Sequence, residues 1–414
     1  MSIKRWKIKE LIADGAIIAL QDGNHGEKHP TSGDYVDSGI PFVMARDFKN
    51  GSLDLSGSCK IPKSLGDLLR IGFARTGDVL LTHKGTVGLV AIVPTVNDYV
   101  MLTPQVTYYR VNVDKLNREY LKYTFLSPFF QNQLGSFSAQ STRPYIGITA
   151  QKELEVDIAD LPTQRKIAGI LSAYDDLIEN NQRRIKILEE MAQSLYREWF
   201  VHFRFPGHES ARFTASPLGQ IPVGWEVRKL ETLYRTSSGG TPSRKNLEYS
   251  ENGTIDWVKT GELKDCFVLS SEEKITVQAL SKSSAKLFPA NTVLIALYGA
   301  TIGQLGILSH EAATNQACCA ILEVEQPFGR AFSYLTLLLR RDDIIGLRLG
   351  AAQQNISQAV LRDFEVICPP ASLLRAFNKR AEPIFDLLLN LQRRNQTLRQ
   401  TRDLLLPKLL SPPN

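Results

Sequence analysis

The 414-residue sequence predicts an α+β protein in which two duplicated globular domains are separated by a pair of long antiparallel coiled-coil helices, related by a pseudo-two-fold axis. Three observations predict it. A segment pattern occurs twice, with a period of about half the chain. Each copy carries strand-and-turn signals. A 3.5-residue apolar repeat closes each copy.

In chain order, Trp6 to Leu11 (WKIKEL) is answered by Trp225 to Leu230 (WEVRKL), 219 residues on. Gly39-Ile40-Pro41-Phe42-Val43 is answered by Gly253-Thr254-Ile255-Asp256-Trp257-Val258. Next, Gly77-Asp78-Val79-Leu80-Leu81 with Gly85-Thr86-Val87-Gly88 matches Asn291-Thr292-Val293-Leu294-Ile295 with Gly299-Ala300-Thr301-Ile302-Gly303. Each reads as a β-branched strand, a glycine-bounded turn and a second strand. Ile148-Thr149 through Pro162 aligns with Ile356-Ser357 through Pro370 at an offset of 208.

The helical seams follow. In the first copy positions alternate by three and four: Ile167, Leu171, Tyr174, Ile178, Asn181, Ile185, Leu188, Ala192, Leu195, Trp199. In the second they are Phe377, Ala381, Ile384, Leu388, Leu391, Asn395, Leu398, Arg402, Leu405, Leu409, each at an offset of 210. Sustained 3.5-residue spacing predicts coiled-coil pairing, and the obvious partner for each helix is the other. Two helices related by a two-fold run antiparallel. Pairing Asn181 with Asn395 then sets every other seam position on a seam position, with Ile167 against Leu409, Leu171 against Leu405 and Trp199 against Phe377. Slips by a heptad leave each amide against an apolar residue, which costs about 1–3 kcal/mol. Pro383 is expected to kink or delay the second helix.

These signals divide the chain into a first globular domain at 1–150, a first helix at 163–202, a Pro/Gly/Ser-rich linker at 203–222, a second globular domain at 223–360 and a second helix at 371–410. Composition is that of a soluble globular protein, 43% apolar and 22% charged. A net charge of +6 permits a polyanionic partner without requiring one. The five cysteines form no CxxC pair and are odd in number, which argues against a disulfide framework or zinc knuckle and fits a reducing cytoplasm. The opening residues lack an apolar export signal and no run approaches 18 apolar residues, so no membrane association is expected.

Catalytic constellations are missing. There is no GxxxxGK[ST] loop, HExxH motif or GxSxG elbow. Gly299 to Gly303 lacks the third glycine and acidic partner of a dinucleotide site, and its copy at Gly85 to Gly88 reads as strand-turn geometry. His25 and His29 have helical ligand spacing but lie beside Pro30, so a loop is expected and no metal. Glu272, Glu273 and Lys274, with Asp265 upstream, read as surface charge. No cofactor is expected.

The residues that follow carry a family resemblance over nearly the whole chain. They are Ile221-Pro222-Val223-Gly224-Trp225, Gly240-Thr241-Pro242-Ser243, Ile255-Asp256-Trp257-Val258, Gly299-Ala300-Thr301-Ile302-Gly303, Asn315-Gln316, Ile356-Ser357, Cys368-Pro369-Pro370 and Leu404-Leu405-Leu406-Pro407-Lys408-Leu409-Leu410. The junction Trp199-Phe200-Val201-His202-Phe203 with Pro206-Gly207 adds to them. In this order they resemble the specificity subunit of Type I restriction-modification systems, a DNA modification and defence machinery. Gly23-Asn24-His25-Gly26 departs from the GTPS pattern of the opening loop. The resemblance implies two target recognition domains, each reading one half of an asymmetric bipartite site on double-stranded DNA, with the helices as spacer. A helix of about 36 residues spans about 54 Å, and successive major-groove faces lie about 34 Å apart. It further implies a non-catalytic chain that docks two adenine-N6 DNA methyltransferase subunits, joined by restriction subunits with ATP-dependent endonuclease activity.

Base contacts come from variable loops. In the first domain the candidate DNA-binding residues are Asn24, His25, Lys28, His29, Lys84, Arg143 and Tyr145. In the second they are Ser243, Arg244, Lys245, Asn246, Tyr298, Gln353, Gln354 and Asn355. Arg and Lys suit guanine or phosphate, Asn and Gln suit adenine, and Tyr packs on sugar or base; for each, a solvated loop is the competing reading. The second helix carries an excess of basic residues, among them Arg393, Arg399 and Arg402, that faces either phosphate or solvent. Two other readings stand beside this one: a specificity subunit of another methylation-based defence complex, and a stand-alone nucleic-acid enzyme, which needs a metal or cofactor site.

Overall fold

The structure is a computed structural model and describes residues 3–26, 28–49, 51–138, 144–324, 328–347 and 355–411. Two compact units make up the chain, Met1–Ile178 with Thr397–Asn414, and Glu179–Gln396.

The first unit holds two four-stranded sheets. One is antiparallel, in the order Ile17–Asp22, Val106–Val111, Val79–Thr82, Val90–Ile92. The other runs Cys59–Ile61, Ile40–Val43, Val100–Leu102, Phe73–Ala74, with its central pair parallel. Val79–Thr82 shows why the sequence there is almost wholly apolar. Side chains alternate across a strand; Val79 and Leu81 enter the core built with Tyr109, Tyr120 and Phe125, while Leu80 enters a second core with Val100, Leu102 and Val106. A strand buried on both faces reads as an unbroken apolar run.

The second unit repeats this plan. Its larger sheet runs Tyr234–Ser238, Cys318–Glu323, Val293–Ala296, Leu305–Leu308, with Cys266–Val268 added parallel at the edge. The smaller runs Lys274–Ile275, Ile255–Val258, Ala312–Thr314, Leu287–Phe288, its central pair again parallel. Val293 and Ile295 face one core, Leu294 and Ala296 the other. In each unit a short antiparallel ribbon precedes a long helix: Ile3–Lys7 with Glu155–Ala159, and Glu226–Lys229 with Glu365–Cys368.

The ribbon-proximal segments are equivalent at an offset of 210, not 208. Ile146 N–H donates to His83 O and Ile356 N–H to Leu297 O, so Ile146, and not Ile148, is the counterpart of Ile356. The apolar-then-hydroxyl pair Ile148-Thr149 imitates Ile356-Ser357 two residues late.

The long helices span Leu161–Tyr196, continued by a π-helical turn Arg197–Val201, and Ala371–Leu410. Pro383 does not interrupt the second. It is exposed, between buried Ala381 and Phe385, so its ring lies on the outer surface of the helix. The segment expected as a linker is partly ordered into a hairpin, Phe213–Ser216 with Gly219–Pro222, and Phe203 and Phe205 pack on Trp225.

In the second unit Asn181 Nδ2 donates to Asn395 Oδ1 at 2.9 Å, with the two residues only 8% and 3% exposed. Trp199 meets Phe377 edge-on at 5.9 Å. Both pairs satisfy one antiparallel register. In the first unit Ile167 and Leu171 share a core with Leu406 and Leu410, and Leu405 and Leu409 lie against it. Leu406, Leu410 and Phe385 are buried more deeply than the adjoining seam positions, because the helix packs on its domain as well as on the other helix.

Asp175 ties three elements of the first unit together. It accepts hydrogen bonds from Lys122 Nζ at 2.7 Å, Tyr123 OH at 2.7 Å and Arg402 at 2.6 Å. Burial by itself raises its pKa, but Lys122, Arg402 and Tyr123 outweigh burial and hold it below the usual carboxylate range.

Two outcomes follow for stability. Asn181→Leu should destabilise the chain by about 1–3 kcal/mol by removing a hydrogen bond from the buried Asn395 amide, and Asn181→Leu with Asn395→Leu should recover part of the loss in a double-mutant cycle read by denaturant unfolding. Asp175→Asn should cost at least about 2 kcal/mol at neutral pH by leaving two cations against a neutral amide. Since the folded pKa of Asp175 is depressed, its contribution is complete above the ordinary carboxylate pKa and fades as pH falls through the folded value. The gap between variant and parent should therefore close on acidification.

Candidate nucleic-acid interface

Four loops meet at one end of the Val79–Thr82 sheet in the first unit and of the Val293–Ala296 sheet in the second, and matching backbone hydrogen bonds hold them. In the first, Asn24 N–H donates to Leu102 O, Thr103 N–H to Val43 O, His83 N–H to Gln105 O and Ile146 N–H to His83 O. In the second, Gly240 N–H donates to Thr314 O, Asn315 N–H to Val258 O, Leu297 N–H to Ala317 O and Ile356 N–H to Leu297 O. The close approach requires glycine at the same place in both. A Cβ at Gly23 would sit 1.9 Å from Thr103 O, and one at Gly239 2.0 Å from Thr314 O. The Gly85–Gly88 and Gly299–Gly303 turns have positive φ at both ends, and each closes back on its strand by a Gly88 N–H to Thr82 O or Gly303 N–H to Ala296 O bond. They are hairpins.

On this frame the candidate side chains divide. Asn24 is 4% exposed, and its amide lies 3.5 Å from His29 Nδ1, which also meets Asn24 O at 3.1 Å. His29 packs on Phe42. His25 is exposed with Nδ1 3.1 Å from Gly23 O, and Lys28 is exposed. Asn246 Oδ1 accepts from Glu248 N–H and caps a short turn. Asn24, His29 and Asn246 thus hold their loops in shape. Ser243, Arg244 and Lys245 are exposed on the loop ahead of that turn. Lys84 and Tyr145, and likewise Tyr298 and Asn355, are brought side by side as isolated antiparallel bridges. Arg143, Gln353 and Gln354 lie outside the described residues.

Sequence reading missed the groups around Arg244. Arg244 Nη2 lies 3.3 Å from Glu273, whose carboxylate also takes a 2.9 Å bond from Lys259 Nζ. Chiefly through that Lys259 hydrogen bond, Glu273 is held below its ordinary pKa. Lys274 pairs separately with Asp256, and Asp265 with Arg341, so Glu273 and Asp265 do not converge. Thr241 and Gln316 join two of the loops through their side chains. Beneath Tyr145, His83 is 1% exposed; neither ring nitrogen has a hydrogen-bond partner among the described residues. Burial drives its pKa down, with Asp22 pulling the other way. No sequence signal separated His83 from its neighbours, because only the fold brings Tyr145 over it.

Part of the basic excess of the second helix is turned inward, while Arg375, Lys379, Arg380, Arg394 and Lys408 are exposed. Arg402 pairs with Asp175 and Asp403, and Arg393 donates to Ser309 O. Arg399 is half-buried, and burial lowers its pKa. Among the described residues no group of three or more His, Cys, Asp or Glu could hold a metal ion, and no helix is long and apolar enough to cross a membrane.

The sequence profile of the Type I restriction modification DNA specificity domain matches residues 24–190 and again 222–399. The Type I restriction enzyme MjaIX specificity subunit of Methanocaldococcus jannaschii is 26% identical over 411 residues, 98% of this chain and 93% of that protein. The Type I restriction enzyme HindI specificity subunit of Haemophilus influenzae is 24% identical over 335 residues, 66% of this chain and 72% of the relative. Among solved structures, the S subunit of a Type-I restriction-modification system from M. genitalium matches with a TM-score of 0.62 at 15% identity, covering 100% of this chain and 97% of that one. At that identity the likeness is one of fold.

The loop chemistry separates two basic neighbours. Lys245 makes no ion pair among the described residues, whereas Arg244 already shares the charge of Glu273. Lys245→Ala should lower the slope of log affinity for DNA against log salt by about one unit. Arg244→Ala should lower it by less, and the double variant by at most about two; salt titrations of the three variants check the order.

Proposed function

The chain belongs to the Type I restriction modification DNA specificity family, and from that membership we propose that each of its two domains reads one half of an asymmetric bipartite site on double-stranded DNA. It serves as the DNA-recognition subunit of a Type I restriction-modification system. The observation that carries the two-half reading is the duplicated loop cluster: one backbone frame, present in both units, bearing different side chains. A frame used twice with different chemistry suits two different short sequences.

In this reading the scaffold supplies no chemistry. The long helices set the distance between half-sites and dock two adenine-N6 methyltransferase subunits, and ATP-dependent restriction subunits join through the complex in the cytoplasm. Ile170, Leu177, Ile187 and Met191 are exposed along the first helix and would offer such a partner apolar groups to cover. The division into recognition domains at 1–150 and 223–360 with helices at 163–202 and 371–410 is part of the same proposal.

Replacing residues 223–360 with the corresponding segment of another specificity subunit should change one half-site in methylation profiling of the assembled complex and leave the other intact; a change in both refutes independent reading. The isolated chain, given DNA, magnesium and methyl donor, should neither methylate nor cut, and turnover that survives removal of trace partners refutes a non-catalytic role.

A further inference from the structure

We propose that the two cross-loop pairs, Lys84 with Tyr145 and Tyr298 with Asn355, are matched base-reading pairs: Lys84 reads a guanine in one half-site and Asn355 an adenine in the other, with the tyrosine of each pair holding its reader in place. The proposal rests on the two-half reading above and adds which atoms discriminate.

The members of each pair are far apart in sequence, and the fold joins them in the same way twice. In the first unit Ile146 N–H donates to His83 O and Gly85 N–H to Pro144 O, which makes Lys84 and Tyr145 the pair between two hydrogen bonds. In an antiparallel ladder such residues stand closest, with both side chains on one face and Cβ atoms about 4.5–5.5 Å apart. Tyr298 and Asn355 form the same bridge, flanked by the Ile356 N–H to Leu297 O bond. Gly85 and Gly299 follow with positive φ, so the chain turns away directly and leaves the pair at the tip.

All four side chains are exposed, Tyr145 by 57% and Tyr298 by 38%. Tyr145 covers His83 on one side only, and both aromatic rings of the bridges keep a substantial exposed surface. Lys84 Nζ lies 5.8 Å from the Tyr145 ring centroid, within cation–π range, which limits the otherwise mobile lysine. By contrast Asn24, His29 and Asn246 are occupied within their loops. The backbone of the bridge is common to both units and only the side chains differ, as expected of positions that set which base is read. An ammonium donates to guanine O6 and N7, and a carboxamide pairs with adenine N6 and N7.

The test uses the full chain assembled with its methyltransferase partners, with binding and methylation scored across a randomised site library. Asn355→Ala should cut discrimination at one adenine of one half-site by about 10- to 100-fold, leave the other half-site unchanged and leave the salt slope unchanged. Lys84→Ala should do the same at a guanine of the opposite half-site. The exchange variant Tyr298→Lys with Asn355→Tyr should create a guanine preference where adenine was read; if it unfolds, the alanine variants still decide. Uniform weakening on all sequences with a salt slope lower by about one unit makes the contact one to phosphate and overturns the proposal, as does unchanged discrimination. If the 223–360 replacement moves a half-site while Asn355→Ala does not, the pair fails and the two-half reading stands. If neither does, both fall.

Discussion

A hydrogen bond between two amides, Asn181 to Asn395, sits in a largely apolar seam and helps to set which residues of the two long helices meet. Apolar side chains would tolerate a slip by a heptad, about 10 Å along the helix, because Leu against Leu and Ile against Leu are nearly equivalent. The amides would not, since each would then lose the other while nearly buried. With the register held, Tyr196 reaches Thr336 at 2.9 Å, and Trp199 and Phe200 close on Phe377 and Phe332. The core of the second unit thus depends on a contact that contributes little to its apolar burial.

The same economy appears in the domains. Val79–Thr82 and Val293–Ala296 each divide their side chains between two cores. That leaves these strands no freedom to shift: a one-residue slip would exchange the contents of both cores. The strands end at Thr82 and Ala296, and the loop cluster begins directly after them, at residues 83–84 and 297–298. Recognition side chains at the end of a strand buried on both faces inherit its rigidity, so side-chain identity can vary between the copies while backbone geometry does not.

Some charges are paired in partly buried sites. Arg402 is paired with Asp175, Arg330 with Glu382 and Asp386, and Arg341 with Asp265. Partly buried ions of this kind are costly to strand but add little outward field. The exposed basic groups that remain at the loop cluster are few, Lys84, Lys245 and the half-shared Arg244 among them.

Periodicity and duplication were enough to determine the α+β class, the doubled domain, both long helices and the Asn181–Asn395 register, because these follow from local spacing and from the high cost of an unpaired buried amide. They failed where two nearby patterns look alike: Ile148-Thr149 mimics Ile356-Ser357, and only backbone hydrogen bonds identify Ile146 as the true counterpart. Pro383 read as a kink or a delayed start because sequence does not reveal that its ring lies on the outer surface of a helix held by packing on its other side. Among the candidate site residues, residue type suggested Asn24 and Asn246 as strongly as Asn355. Tertiary structure decides only which side chains are left available, since that depends on what the rest of the fold has already bonded to each: Asn24 lies against His29, Asn246 caps a turn, and Asn355 stands exposed opposite Tyr298.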